Sequence, residues 1–186
     1  MIKISKLDAL LMFLLISLGL FFRIFSIGPN VELVTVSALA AGYFIQNKKL
    51  SLIVPLIIMF ISDSILGNTS IFLFTWSAFL ITPLIGVTLS KVNKQKVKSY
   101  PALAGLGGSL FSVIIFFLWT NFGVVITTSM YPDTIAGLLN SYINALPFLK
   151  NQLYGNLIFA PIIFTLVAVL KDIFENKALR LKEALN

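Results

Sequence analysis

Long apolar runs dominate this chain, and a water-soluble fold has no place for so many of them. The first reaches from Leu7 to about Phe25, and about 20 consecutive apolar residues suffice to cross the hydrocarbon core of a bilayer as a helix. Hydrophobic residues make up 58% of the 186-residue chain and charged residues only 11%, against about half and about a quarter in a soluble domain. The reading is an all-α, polytopic membrane protein. Six spans of about 20 residues would use about 120 positions and leave about 66 for loops and tails. That is one membrane domain, 1–186, with no separate soluble unit.

Punctuation places the six spans at about 7–25, 31–45, 50–66, 71–89, 102–126 and 152–170. The first run is about 19 residues long, follows Lys3 and Lys6, and lacks an A-x-A-like site behind it, so it reads as a retained span rather than a cleaved signal peptide. Gly28 and Pro29 break the chain before a short second span, which is expected to be surrounded by protein or only slightly tilted. Gly67 and Asn68 close the third span, and the hydrophilic stretch from Lys91 to Tyr100 stops the fourth. Between spans five and six, Ile135, Leu138, Leu139, Tyr142, Ile143 and Leu146 recur at intervals of three and four, with Asn140 and Asn144 as a polar stripe. This predicts a helix over 134–146, N-capped by Asp133 and ended by Pro147. It is too short to span and so is read as interfacial or re-entrant. The tail, 171–186, mixes Lys, Glu, Asp and Leu as a surface helix would.

Six spans put both termini on one side, and the charges test that layout. Twelve basic residues fall on the side of the termini: Lys3, Lys6, Lys48 and Lys49, the Lys91–Lys98 group, and Lys171, Lys177, Arg180 and Lys182. Only Arg23 and Lys150 fall on the other, so the net charge divides into +8 and −1. Basic residues accumulate in cytoplasmic loops. The expectation is therefore a multi-pass protein of the cell (inner) membrane with both termini cytoplasmic. The chain's formal charge of +7 then reflects topology and anionic lipid rather than nucleic acid.

Cysteine and histidine are both absent. This removes thiolate and Ser-His-Asp nucleophiles, Cys- or His-ligated zinc, and haem–His ligation. The seven acidic residues are scattered, which weighs against a carboxylate metal cage. No Gly-x-x-x-x-Gly-Lys-Ser/Thr pattern occurs, so the chain holds no P-loop for ATP. Neither an enzyme, a cofactor nor a metal is expected.

Ionisable residues within or at the edge of a membrane are costly and point to function by default. Four are expected in the outer half: Arg23, Glu32, Asp63 and Lys150. Asp63 either meets a ligand, reaches water from its helix end, or pairs with Arg23. Glu32, after Asn30, suits a helix N-terminus, and Arg23 is long enough to snorkel outward. Trp119, Asn121, Tyr131, Asn140 and Asn144 crowd the same side. Rings stack and amides select hydrogen-bonding edges, so these residues fit a pocket for a small polar solute; an interfacial aromatic belt explains the Trp and Tyr residues equally well. Ala104, Gly108 and Ser112 stand four apart in span five, for packing inside the bundle or for docking a partner's helix.

The series Trp119-Thr120-Asn121-Phe122-Gly123, Tyr131-Pro132-Asp133-Thr134, Gly137-Leu138 and Leu146-Pro147-Phe148, with Pro29-Asn30 and Ser62-Asp63 earlier, resembles an uncharacterised family of six-helix membrane transport proteins. The chain departs from that pattern at Val125, Ser141, Leu149 and Asn156. More loosely, the layout is similar to the substrate-binding subunits of energy-coupling-factor (ECF) vitamin transporters, although the first span has only Ala9 of their Ala-x-x-x-Ala pattern. That likeness implies a transmembrane coupling subunit and cytoplasmic ATPases as partners. The leading expectation is a subunit that binds and passes a small polar micronutrient. Asp63, Asn121, Tyr131, Asn140, Asn144 and Lys150 would line an outward pocket under a lid formed by 134–146. The alternatives are a non-transport scaffold acting through small-residue faces and, more remotely, an intramembrane enzyme using Asp63 and Lys150.

Overall fold

The computed structural model describes residues 4–25, 28, 30–94 and 100–183; Pro29 of the first break and Lys3, Lys96 and Lys98 lie outside the described residues. Six helices follow in order: α1 (Lys6–Ile24), α2 (Val34–Phe44), α3 (Lys48–Leu66), α4 (Phe72–Lys94), α5 (Pro101–Thr127) and α6 (Ile135–Glu183). Five of them, all but α2, are long and apolar enough to cross a membrane. The apolar runs explain where the helices lie. Capping explains several ends: the Ser5 hydroxyl accepts from the Asp8 N–H at 2.9 Å, Asn47 caps α3, and Gly67 closes it with a positive φ of 85°.

Two boundaries differ from the expectation. Helix α4 continues past Leu89 to Lys94, because Lys is a good helix former and nothing between Ser90 and Lys94 breaks the pattern. The larger correction concerns 134–146 and 152–170, which are not separate elements. They and most of the tail form the single 49-residue helix α6, with Pro147 and Pro161 inside it. Proline removes one backbone donor and crowds the preceding turn. At Pro147 this falls on an exposed stretch, while the turn before it is held to α5 from the side: Ser141 Oγ donates to the Asn121 carbonyl at 3.2 Å and Tyr142 Oη to the Leu118 carbonyl at 3.1 Å. The cap is also reassigned. Thr134 Oγ1, not Asp133, accepts the Gly137 N–H at 3.1 Å.

Helix α2 is the centre of the bundle and packs against all five other helices. It is only 11 residues long, so it rises about 16 Å, roughly half of a hydrocarbon core. Its N-terminal end lies within the bundle, and both ends are met by charged side chains. At the C-terminus, Lys48 Nζ donates to the carbonyls of Gly42 at 2.9 Å and Ile45 at 2.8 Å. The buried Asp8 carboxylate takes the next two N–H groups, Gln46 at 2.9 Å and Asn47 at 3.3 Å. At the N-terminus, Glu32 accepts from the Val34 N–H and, at 3.0 Å, from the Thr35 hydroxyl.

Along its length α2 meets α4 backbone to backbone. A Cβ added at Gly42 would overlap the Pro83 carbonyl oxygen, and one added at Gly86 would overlap the Leu39 carbonyl oxygen. Neither obstacle is a flexible side chain, so Gly42→Ala should cost about 3 kcal/mol or more by overpacking. In detergent this reads as a fall of roughly 5–10 °C in the unfolding midpoint. Gly107, whose Cβ would meet nothing within 4 Å, is the control: Gly107→Ala should leave the midpoint unchanged or slightly raised. Equal effects of the two substitutions would contradict the packing described.

Candidate functional site

The residues that end α1 and α3 build a charged cluster. Arg23, in the last turn of α1, donates from Nε to Ser62 Oγ at 2.8 Å and from Nη2 to Asp63 Oδ1 at 2.9 Å. Trp76, from α4, donates its indole N–H to the second carboxylate oxygen of Asp63 at 2.7 Å. Both oxygens of Asp63 are thus engaged, and the side chain is 8% exposed. Of the readings open to Asp63, the ion pair with Arg23 is the one realised. Glu32 is likewise committed, as the cap of α2.

Beside this cluster lies a cavity of about 360 Å³. One wall carries Arg23, Asn30, Thr69 and Thr75, from the end of α1, the connections after α1 and α3, and the first turn of α4. The opposite wall comes from α5, with Phe116, Phe117, Thr120 and Asn121, and from α6, with Ala145, Phe148, Leu149 and Gln152. Its level follows from neighbouring contacts. Val31, just before α2, lies beside Gly155, between the Ser141–Asn121 contact near one end of the α5–α6 pair and the Gly105–Phe164 contact near the other. The non-helical segment 30–33 therefore sits partway down the bundle, with the cavity next to it.

The polar groups of the cavity differ in how far they are committed. Thr120 and Thr75 return their hydroxyls to carbonyls of their own helices at 2.8 and 3.3 Å. Asn121 donates from Nδ2 to the Phe117 carbonyl at 2.8 Å, which leaves its Oδ1 as an acceptor. Gln152 is 6% exposed, and its carboxamide has no hydrogen bond among the described residues. One turn on, Asn156 donates to the Gln152 carbonyl at 2.9 Å, but its buried Oδ1 has no partner among the described residues.

Of the expected pocket residues, the cavity brings together Arg23, Asn30 and Asn121. The others lie elsewhere. Asn140 is exposed, and Asn144 donates to the Tyr131 hydroxyl at 3.2 Å on the exposed side of α6. Lys150 is exposed, with its ammonium 5.8 Å from the Tyr154 ring centre. Trp119 donates to Ser77 Oγ at 2.8 Å and walls a shallow apolar groove with Leu118, Phe122 and Tyr142. For Asn140, Asn144 and Tyr131 the physical reason is shared: 134–146 lies along α5 as the first turns of α6 and does not fold over the bundle. Gly108 and Ser112 are buried, Gly108 against Leu39 and Leu89, while Ala104 is half-buried. No group of three His, Cys, Asp or Glu residues suited to a metal occurs among the described residues.

Gln152 escaped the sequence reading although a signal for it exists. Ala145, Phe148, Leu149, Gln152 and Asn156 fall at helical spacing. That face appears only when the helix is continued through Pro147.

An all-α bundle of six helices, five of them long and apolar enough to span, is compatible with a multi-pass membrane protein. Within that class the protein belongs to a family of unknown function, DUF6580, which matches residues 3–179. No curated protein and no solved structure matches the chain.

If the Arg23–Asp63 pair is structural, breaking it on one side should be worse than removing it whole. Asp63→Ala leaves the guanidinium unpaired at a site where it is 21% exposed and should cost about 3 kcal/mol. The double change Arg23→Met with Asp63→Leu should recover most of that loss in a thermal-unfolding measurement.

Proposed function

We propose that the protein is a membrane solute-binding and permeation protein that takes a small polar solute into the cavity between Arg23, Asn121 and Gln152. One observation carries this reading: α2 starts partway through the bundle, and beside its N-terminus lies a cavity lined by Asn121 and by the Gln152 carboxamide, which has no hydrogen bond among the described residues. Irregular backbone at membrane depth is tolerated where protein or a polar cavity covers it, and interrupted helices of this kind mark solute sites in transporters. The charge asymmetry supports an orientation with the cavity on the outer face and both termini in the cytoplasm. Because the chain has no P-loop, energy for uphill movement would come from a partner, as the likeness to ECF substrate-binding subunits implies. A transmembrane coupling subunit with cytoplasmic ATPases would then co-purify with it. The scaffold alternative has less surface to work with, since Gly108 and Ser112 are covered by the bundle's own helices.

The natural absence of cysteine makes this testable by single introduced thiols. Thr69→Cys, at the exposed rim, and Asn121→Cys, inside, should both react with a membrane-impermeant maleimide on intact cells. A pool of small polar metabolites should slow labelling at Asn121→Cys several-fold and at Thr69→Cys less. Labelling only after permeabilisation would reverse the orientation, and no protection by any pool would remove the solute site.

A further inference from the structure

On the reading that this cavity binds a solute, we infer that the solute is an uncharged, planar heterocycle presenting an amide-type edge, an N–H next to a C=O, to the carboxamide of Gln152. A carboxamide carries donors and an acceptor side by side, so its natural complement is a second amide edge joined by two parallel hydrogen bonds. Gln152 is 6% exposed, lines the cavity and has no partner among the described residues. With no protein partner, its carboxamide is left to pair with whatever fills the cavity. Asn121 adds an acceptor, Oδ1, on the same wall, one of its two Nδ2 protons being held by the Phe117 carbonyl.

The charges of the site narrow the class further. Arg23 is the one charged residue in the cavity lining, and it is held by Asp63 and Ser62. Glu32, which could have compensated a cation, is spent on the N-terminus of α2. The same carboxylate occupies the place where that helix end would otherwise attract an anion. A cation would therefore lose its hydration without a counter-charge, and an anion would meet only a guanidinium already paired with Asp63.

Shape points the same way. Phe117 and Phe116 already pack on Tyr142 and Phe79, whereas Phe148, at the cavity wall and 51% exposed, makes no ring contact among the described residues. Its face is open for stacking a flat ring. A volume of about 360 Å³ lies at the small end of ligand sites, which run from about 300 to 1,000 Å³.

The test uses the full chain in nanodiscs and matched probes: uracil against 1,3-dimethyluracil and orotate, and nicotinamide against nicotinate. Calorimetry should show uracil or nicotinamide binding, with the blocked and the acidic partners weaker by about ten-fold or more. Gln152→Leu should weaken binding by about ten-fold or more without lowering the unfolding midpoint, and Gln152→Met serves where Leu does not fold. Equal or tighter binding of orotate or nicotinate would overturn the neutral class but leave solute capture standing. Unchanged binding in Gln152→Leu and Gln152→Met, with a raised midpoint, would show that water alone satisfies the amide and would overturn the inference. Failure of every probe, while a metabolite pool still protects Asn121→Cys, overturns the inference alone; loss of that protection as well removes the reading on which it rests.

Discussion

Everything in this bundle is arranged around a central helix that is too short to span and whose two ends are capped by charged side chains. A helix leaves about four N–H and four C=O groups without internal partners at its termini, and in α2 those groups face protein. Three charged side chains meet that demand. Glu32 takes the N-terminus, Lys48 takes the last carbonyls, and Asp8 takes the N–H groups of the turn that follows. Each is brought by a different segment, so α1, the α1–α2 connection and the start of α3 are fixed relative to α2 by charge-assisted hydrogen bonds. Such bonds are stronger than neutral ones and stronger still away from water.

The cavity follows from the same shortness. Had α2 run the full thickness of the bundle, its side chains would fill the space now bounded by Arg23, Asn121 and Gln152. Instead the chain descends through 30–33 as irregular backbone, and Asn30 adopts a positive φ of 58° in doing so. Positive φ is uncommon outside glycine but is tolerated by asparagine. The two acidic residues nearby are both consumed in holding this arrangement. What remains uncommitted around the cavity is mostly amide chemistry beside an aromatic wall.

Much of the fold could be read directly from residues. Spans one, three, four and five are bounded by their own punctuation, and the brevity of the second span correctly implied a helix enclosed by protein. The failure at Pro147 has a definite cause. Proline is read as a helix end because its local cost is about 3 kcal/mol, but α6 is held to α5 by Ser141 and Tyr142, and such tertiary contacts cannot be seen from spacing. The site suffered from the same blindness. Asn140 and Asn144 looked like pocket residues because they are amides on an apolar helix, yet which face meets the bundle is decided by Ser141 and Tyr142. Asp8 and Lys48 passed as ordinary flanking charges, since nothing in a linear pattern says that a helix ending 36 residues on from Asp8, at Phe44, will need its end satisfied.

The glycine contacts between α2 and α4 also set how the molecule is able to deform. Helices joined at the backbone, as these are through Gly42 and Gly86, cannot slide or roll past one another without collision, so α2 and α4 behave as one stiff plank. Helices α5 and α6 make a second, riveted by Ser141, Tyr142 and the Phe164 ring seated on Gly105. Between the two planks the packing is of side chains, such as Leu39 and Leu89 over Gly108 and Phe74 over Gly123, which yield by changing rotamer. The cavity straddles that seam, so the easiest strain available to this structure is also the one that alters the width of its mouth.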